Sequence, residues 1–262
     1  MSNLPGTTAR RRIYLMRHGH VNYFAPDVVR TRNTRDVSLT PQGRLEAGAA
    51  ARAFAPLVFD RAICSGLART CETAEIVLGA FENPPALEIE PDLAEIHGGH
   101  AQVTSRDELV STVSSHFAKA AEEGATLMEG GEAFRLAQAR AIDAIRRLLG
   151  EPGWKQILIV AHEGINRLVL SWAACGGLSA AHAFEQDTGC VNVVDFDMVC
   201  GEDGKPGAEI ERVLIKAVNL TPYNYVKHGM NLTSLEAIFA RNDDGAEWQS
   251  FLPEPPDGKT RD

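Results

Sequence analysis

The chain has 262 residues, of which 44% are hydrophobic and 23% charged, a balance that excludes a disordered polymer and gives a core large enough to stand without disulfides. Twenty-six basic against 35 acidic residues leave a net charge of −9, which argues against a general nucleic-acid or anionic-membrane binder, since both need excess positive charge on a face. The longest aliphatic run, Ile157 to Ala161, is far too short to span a bilayer, Arg10-Arg11-Arg12 has no apolar stretch of signal-peptide length behind it, and the five cysteines contain no C-x-x-C pair; a cytoplasmic protein with reduced thiols is expected.

Residues 1–12 are expected to be a flexible N-terminus, and Ile13-Tyr14-Leu15-Met16 a first strand running into Arg17-His18-Gly19-His20. Thr40-Pro41 opens an Ala-rich helix to about Phe54, with Thr40 as N-cap and Pro41 at the first helical position. Val58 to Cys64 reads as a second strand, after which Ser65 is expected to cap a helix ending near Leu78. Leu87 to Ile89 is a short third strand, and Arg106 to Ala120 is predicted helical. Phe134, Ala137, Ala141, Ile145 and Leu148 recur at steps of three and four, which predicts an amphipathic helix over 132–149. Ile157 to Ala161 has the length and composition of a buried strand, and Ile165, Leu168, Val169 and Trp172 mark the helix after it. Val191 to Met198 and Glu209 to Val218 flank a polar turn and read as a hairpin. Strands separated by helices imply a largely parallel sheet covered on both faces. Beyond residue 218 a C-terminal extension is expected, with a capping box at Thr233-Ser234-Leu235-Glu236 opening a short helix and a disordered tail following Arg241.

Ligands in open α/β sheets bind at the carboxyl ends of strands. Three strand ends here carry chemistry: Arg17-His18-Gly19-His20, Ser65 with Arg69 one turn on, and His162-Glu163-Gly164. Glu95 follows the third strand on a loop. Two arginines and two histidines thus meet a carboxylate on one rim. Arginine matches phosphate oxygens with planar, permanently charged donors, and helix N-termini after Ser65 and His162 add backbone donors. A neutral imidazole can attack phosphorus and split one displacement into two, while a nearby carboxyl exchanges a proton with the leaving oxygen and then with water.

Leu15-Met16-Arg17-His18-Gly19, Leu39-Thr40-Pro41-Gln42-Gly43, Ser65-Gly66-Leu67-Ala68-Arg69-Thr70 with Thr73-Ala74, and Val160-Ala161-His162-Glu163-Gly164 together resemble the histidine phosphatase superfamily, also called phosphoglycerate mutase-like. The resemblance covers roughly residues 13–198 and implies an α/β three-layer sandwich, a mainly parallel central sheet with helices on both faces, and no metal or cofactor. It assigns His18 as the phosphorylated nucleophile, Arg17, Arg69 and His162 as the rest of the phosphate pocket, and Glu95 as general acid/base. The family often has Glu or Gln after R-H-G, where this chain has His20, and an Asn where this chain has Phe24; Asn22 is the expected substitute for that Asn as a phosphate contact. Glu163 occupies the place where the acid-phosphatase branch carries its proton donor, so two carboxylates compete for that role; the mutase-like character of the other segments favours Glu95.

The leading expectation is a metal-independent phosphomonoesterase acting on a small-molecule phosphate ester through phospho-His18. A phosphoglycerate mutase is the alternative within the family; the arginine- and tyrosine-rich insert of such mutases is not recognisable between Gly99 and Gly130. Outside it stand a zinc hydrolase using His18, His20, His97, His100 and His162, which lacks an acidic residue to complete H-x-H-x-D-H, and a non-catalytic binding protein on the same fold. Arg30, Arg32 and Arg35 lie on a loop that either is solvated or binds a second anionic group, and Tyr23 and Phe24 either wall the site or pack their loop. The C-terminal segment around Tyr223, Tyr225 and His228 either folds over the catalytic domain or joins a subunit interface, and with the hairpin it leaves a homodimer open.

Overall fold

The strand Gln156–Ala161 (β4) is the centre of the molecule because every second side chain is apolar on each of its faces. In the computed structural model, which describes residues 9–23, 25, 28, 35–99, 116–200 and 206–239, β4 lies in a sheet with Arg10–Arg17 (β1), Arg61–Cys64 (β2), Leu87–Ile89 (β3), Val191–Cys200 (β5) and Pro206–Leu220 (β6). The order is β3-β2-β4-β1-β5-β6. The first four are mutually parallel, while β5 runs antiparallel to β1 and forms a hairpin with β6.

Alternation divides the core in two. Ile13, Leu15, Ile157, Ile159 and Phe196 face one side, against helices Phe134–Gly150 (α3) and Glu163–Ala173 (α4); Tyr14, Met16, Leu158 and Val160 face the other, against Pro41–Phe54 (α1) and Ala68–Leu78 (α2). Each such fully buried side chain contributes about 1.5–3 kcal/mol. The result is the three-layer sandwich expected from the sequence.

Some boundaries differ from the sequence reading, each for a local reason. β1 starts at Arg10, inside the segment expected to be flexible, because β5 pairs with it and Arg10 and Arg12 each bond an aspartate of β5, Asp197 and Asp195, at 2.6 Å. β2 is shorter than Val58–Cys64. The Asp60 carboxylate accepts the Lys155 and Gln156 N–H groups at 2.7 and 2.8 Å, fixing the start of β4 while Val58 stays exposed. Thr40 caps α1 as expected, its hydroxyl accepting the Gly43 N–H at 3.2 Å. Ser65 does not cap α2; the N-cap is Leu67, with no side-chain bond. Most of the predicted 106–120 helix, through residue 115, lies outside the described residues, as do Phe24, Arg30, Arg32, His100 and the tail from residue 240. The capping box holds in the short helix Ser234–Phe239 (α5): the Thr233 N–H donates to Glu236 at 2.8 Å, and the Glu236 N–H to Thr233 Oγ1 at 3.2 Å. Among the described residues no helix is long and apolar enough to cross a membrane.

Candidate active site

The carboxyl ends of β1, β4 and β2 lie level because Met16 pairs with Val160 and Val160 with Cys64. The next residue or two on each strand is therefore on one rim: Arg17-His18, His162 and Ser65. The His18 N–H continues the ladder to the Ala161 carbonyl at 3.0 Å. Beyond it the chain crosses α1 so closely that a Cβ on Gly19 would strike the Gly43 backbone, and one on Gly43 would strike His20. The glycines of the first two motifs are thus one contact, which leads the chain away behind His18. Thr73 secures the turn, accepting the Gly19 N–H at 3.1 Å and donating to the Arg69 carbonyl at 2.7 Å.

His18 is buried, and its Nδ1 lies 2.7 Å from the Gly19 carbonyl. A carbonyl only accepts, so Nδ1 carries the proton and Nε2 keeps its lone pair. Arg69 Nε approaches that Nε2 at 3.2 Å. Burial, then the charges of Arg69 and Arg17, hold His18 well below the usual histidine range, so the ring is neutral at physiological pH. The His162 ring stands edge-on to it, with centroids 5.2 Å apart. His162 Nε2 meets the Ser65 hydroxyl at 2.7 Å, and Ser65 in turn lies 3.0 Å from Thr70 Oγ1. His162 Nδ1 is buried with no protein partner among the described residues. His162 too is held well below its ordinary range, by burial first and then by Arg69. Arg69 at His18 Nε2, with the Arg17 guanidinium and the neutral His162 ring nearby, makes an arrangement that can bind a phosphoryl dianion and present a nucleophile to it.

The two carboxylates take different settings. Glu95 reaches the rim from its loop and accepts the Gly164 N–H at 3.2 Å and its neighbour Ile96 N–H at 2.9 Å. Desolvation raises its pKa above the ordinary carboxylate value, the direction a general acid requires. Gly164 is needed for this approach, since a Cβ there would lie 2.7 Å from Glu95 Oε1. That N–H at the start of α4, read from sequence as a phosphate donor, serves Glu95 instead. Glu163 is buried between two arginines, with Oε2 3.0 Å from Arg17 and Oε1 3.0 Å from Arg167, and it also accepts the Ser234 hydroxyl at 2.6 Å. It is an anchor for Arg17, which also donates to the Gln186 carbonyl.

Arg17, His18, Arg69, His162 and Glu95 therefore come together. Asn22 is exposed, and the flanking Val21 and Tyr23 line the adjoining cavity of about 170 Å³. The Arg69 guanidinium sits over the Tyr23 ring at 5.6 Å. His20 lines the cavity and bonds Thr40 Oγ1 at 2.8 Å, whereas His97 is exposed on its loop. Among the described residues no three His, Cys, Asp or Glu side chains are placed to hold a metal. The sequence reading placed Ser65 at a chemistry-bearing strand end without a side-chain role, and it missed Gln186 and Ser234, around which nothing in the pattern points to the site.

Residues 13–201 match the family model described as the histidine phosphatase superfamily (branch 1). The chain is 24% identical over 187 residues to an adenosylcobalamin/alpha-ribazole phosphatase of Escherichia coli, covering 71% of this chain and 90% of that protein. It is 26% identical over 221 residues to a 2-carboxy-D-arabinitol-1-phosphatase of Triticum aestivum, covering 84% of this chain and 42% of that protein. A solved mycobacterial glucosyl-3-phosphoglycerate phosphatase superposes with a TM-score of 0.63 at 18% identity, covering 80% of this chain and 99% of that one, and shares its fold. The family match spans most of the chain and contains all five residues that meet on the rim; this protein belongs to the histidine phosphatase superfamily, branch 1.

Proposed function

We propose that this protein hydrolyses a small-molecule phosphate monoester without a metal, through a phosphohistidine on His18. The observation that carries the reading is the neutral His18, whose unprotonated Nε2 accepts the Arg69 Nε–H at 3.2 Å beside Arg17 and His162, a bond that a phosphoryl group held by Arg69 would displace. In the first step Nε2 forms a bond to phosphorus and the phosphorus–oxygen ester bond breaks. The leaving oxygen takes the proton of the Glu95 carboxyl. In the second step water attacks phosphorus, the nitrogen–phosphorus bond breaks, and the Glu95 carboxylate takes a proton from that water. Arg17 and Arg69, with the His162 ring beside them, offset the phosphoryl charge throughout. The phosphatase names of the relatives support a small phosphorylated metabolite as substrate. A cytoplasmic setting belongs to the same reading and is supported by the absence of disulfides among the five cysteines.

The test is hydrolysis of an aryl phosphate by wild type and His18→Ala with a strong chelator present. Wild type is expected to turn over at the same rate with and without chelator, and His18→Ala to lose about a thousandfold or more. Equal activity of the variant, or loss of wild-type activity to the chelator, overturns the mechanism. Phosphate returned to a second substrate and not to water would make the enzyme a mutase.

A further inference from the structure

The family match ends at residue 201, and the chain after β6 lies outside it. Three features nevertheless tie residues 221–237 to the rim. Asn224, Met230, Asn231 and Leu232 form one wall of the cavity beside Arg17 and His18. The segment is fastened to the turn before β5: the Tyr223 hydroxyl donates to the Thr188 carbonyl at 2.7 Å, and Lys227 pairs with Asp187 at 2.7 Å. That turn in turn bonds the nucleophile's own backbone, the Gly189 N–H donating to the His18 carbonyl at 3.1 Å.

The third feature is a buried chain of contacts. Ser234 Oγ donates to Glu163 Oε1 at 2.6 Å and accepts from Arg167 Nη2 at 2.9 Å, while its N–H donates to Glu185 at 2.8 Å. The other oxygen of Glu163, Oε2, accepts no hydrogen bond among the described residues and stands as an ion-pair partner 3.0 Å from Arg17. Ser234, Glu163, Arg167 and Arg17 are each no more than 3% exposed, so water screens neither the hydrogen bonds nor the Arg17–Glu163 ion pair. A carboxylate shared by two guanidinium groups can turn toward either; the Ser234 hydroxyl fixes Oε1 on the Arg167 side and so aims Oε2 at Arg17. The remaining Arg17 Nε is buried without a protein partner.

We propose that residues 221–237 are part of the active site: they wall its cavity, and Ser234, acting through Glu163, is a positioning residue for the phosphate-binding guanidinium of Arg17. The inference rests on the reading of Arg17 as a phosphate ligand. Its test separates the two by measuring binding as well as turnover. Inorganic phosphate is titrated calorimetrically into wild type, Ser234→Ala and Ser234→Thr, and kcat and KM are measured on an aryl phosphate, with Tm alongside. Ser234→Ala is expected to bind phosphate about tenfold more weakly and to lose a similar factor in kcat/KM, and Ser234→Thr, which keeps the hydroxyl, to return within about threefold of wild type. Should Ser234→Ala fail to fold, Ser234→Cys preserves the volume with a weak donor, and weakened phosphate binding is expected of it too. A variant without the hydroxyl that binds phosphate as wild type does, with only its Tm lowered, overturns the proposal. Wild type that binds phosphate but hydrolyses no ester overturns the hydrolase and leaves the positioning to be judged on binding. Wild type that binds no phosphate overturns both.

Discussion

His18 and Glu95 divide the work at the residue scale because burial acts oppositely on an imidazole and a carboxyl. Desolvation favours the neutral form of each, which leaves the first a nucleophile and the second an acid. The acid matters most when the departing oxygen is a poor leaving group. Glu95→Gln is therefore expected to cost about 10²–10⁴-fold in kcat on an alkyl phosphate, and much less on a nitrophenyl ester whose phenolate leaves unaided. Steady-state rates on the two esters check this; equal losses would remove Glu95 from proton transfer. Raising the pH through the Glu95 pKa is expected to lower the alkyl-ester rate of wild type and to leave the residual rate of Glu95→Gln without that limb.

Element ends, more than element interiors, make the site. The close crossing of Gly19 and Gly43 carries the chain off β1 behind His18, and the first turn of α4 seats Glu95 on a glycine. Gly164→Ala puts a methyl group against Glu95 Oε1 and the Ile96 side chain, at 2.7 Å from each. Both neighbours are ends of side chains, and alanine favours a helix by about 1 kcal/mol over glycine. The variant is expected to keep its fold by circular dichroism and urea unfolding yet to lose about tenfold or more in kcat on an alkyl phosphate, because the carboxyl is displaced from its geometry. An unchanged kcat would show that Glu95 tolerates displacement and is not seated for proton transfer.

For the whole molecule, the buried titratable groups set how stability responds to pH. Burial holds His18 and His162 well below the ordinary histidine range and His20 at about 4. The unfolded chain takes up these protons below about pH 6.5 and the folded chain does not, so stability falls as pH drops through that value. Glu46 works the other way. It is fully buried under Thr188 and the His20 backbone, accepting from each at 2.8 Å, and burial raises it from 4.5 to about 7. Its folded form keeps a proton that the unfolded chain releases near pH 4.5, so its contribution is complete below that pH and is lost as pH rises to about 7. Since the histidines are common to both proteins, the comparison with Glu46→Gln isolates this effect. Relative to wild type, the variant is expected to gain up to about 3 kcal/mol in urea-unfolding free energy between pH 4.5 and 7.5. A constant difference across that range counts against it.

By itself the sequence determined the layers of this protein and most of its chemistry. Apolar alternation in Ile157–Ala161, the 3.6-residue period of α3 and the Thr40-Pro41 start each carry their structure locally, because side-chain periodicity and capping are properties of neighbouring residues. Arg17, His18, Arg69, His162 and Glu95 stood at strand ends or just beyond them, where a parallel sheet gathers ligands. Only the tertiary structure decided what depended on partners far along the chain. It extended β1 to Arg10 through the aspartates of β5, turned Ser65 from a helix cap to a partner of His162, and placed Tyr23 in the wall of the cavity beside Arg17 and His18. It also separated two carboxylates that sequence could not tell apart: Glu163 meets Arg17, Arg167 and Ser234, while Glu95 meets backbone N–H groups in a desolvated corner. The physical reason is that the role of a carboxyl is set by the groups around it, and those groups come from distant parts of the chain, Arg17 and Ser234 meeting at Glu163.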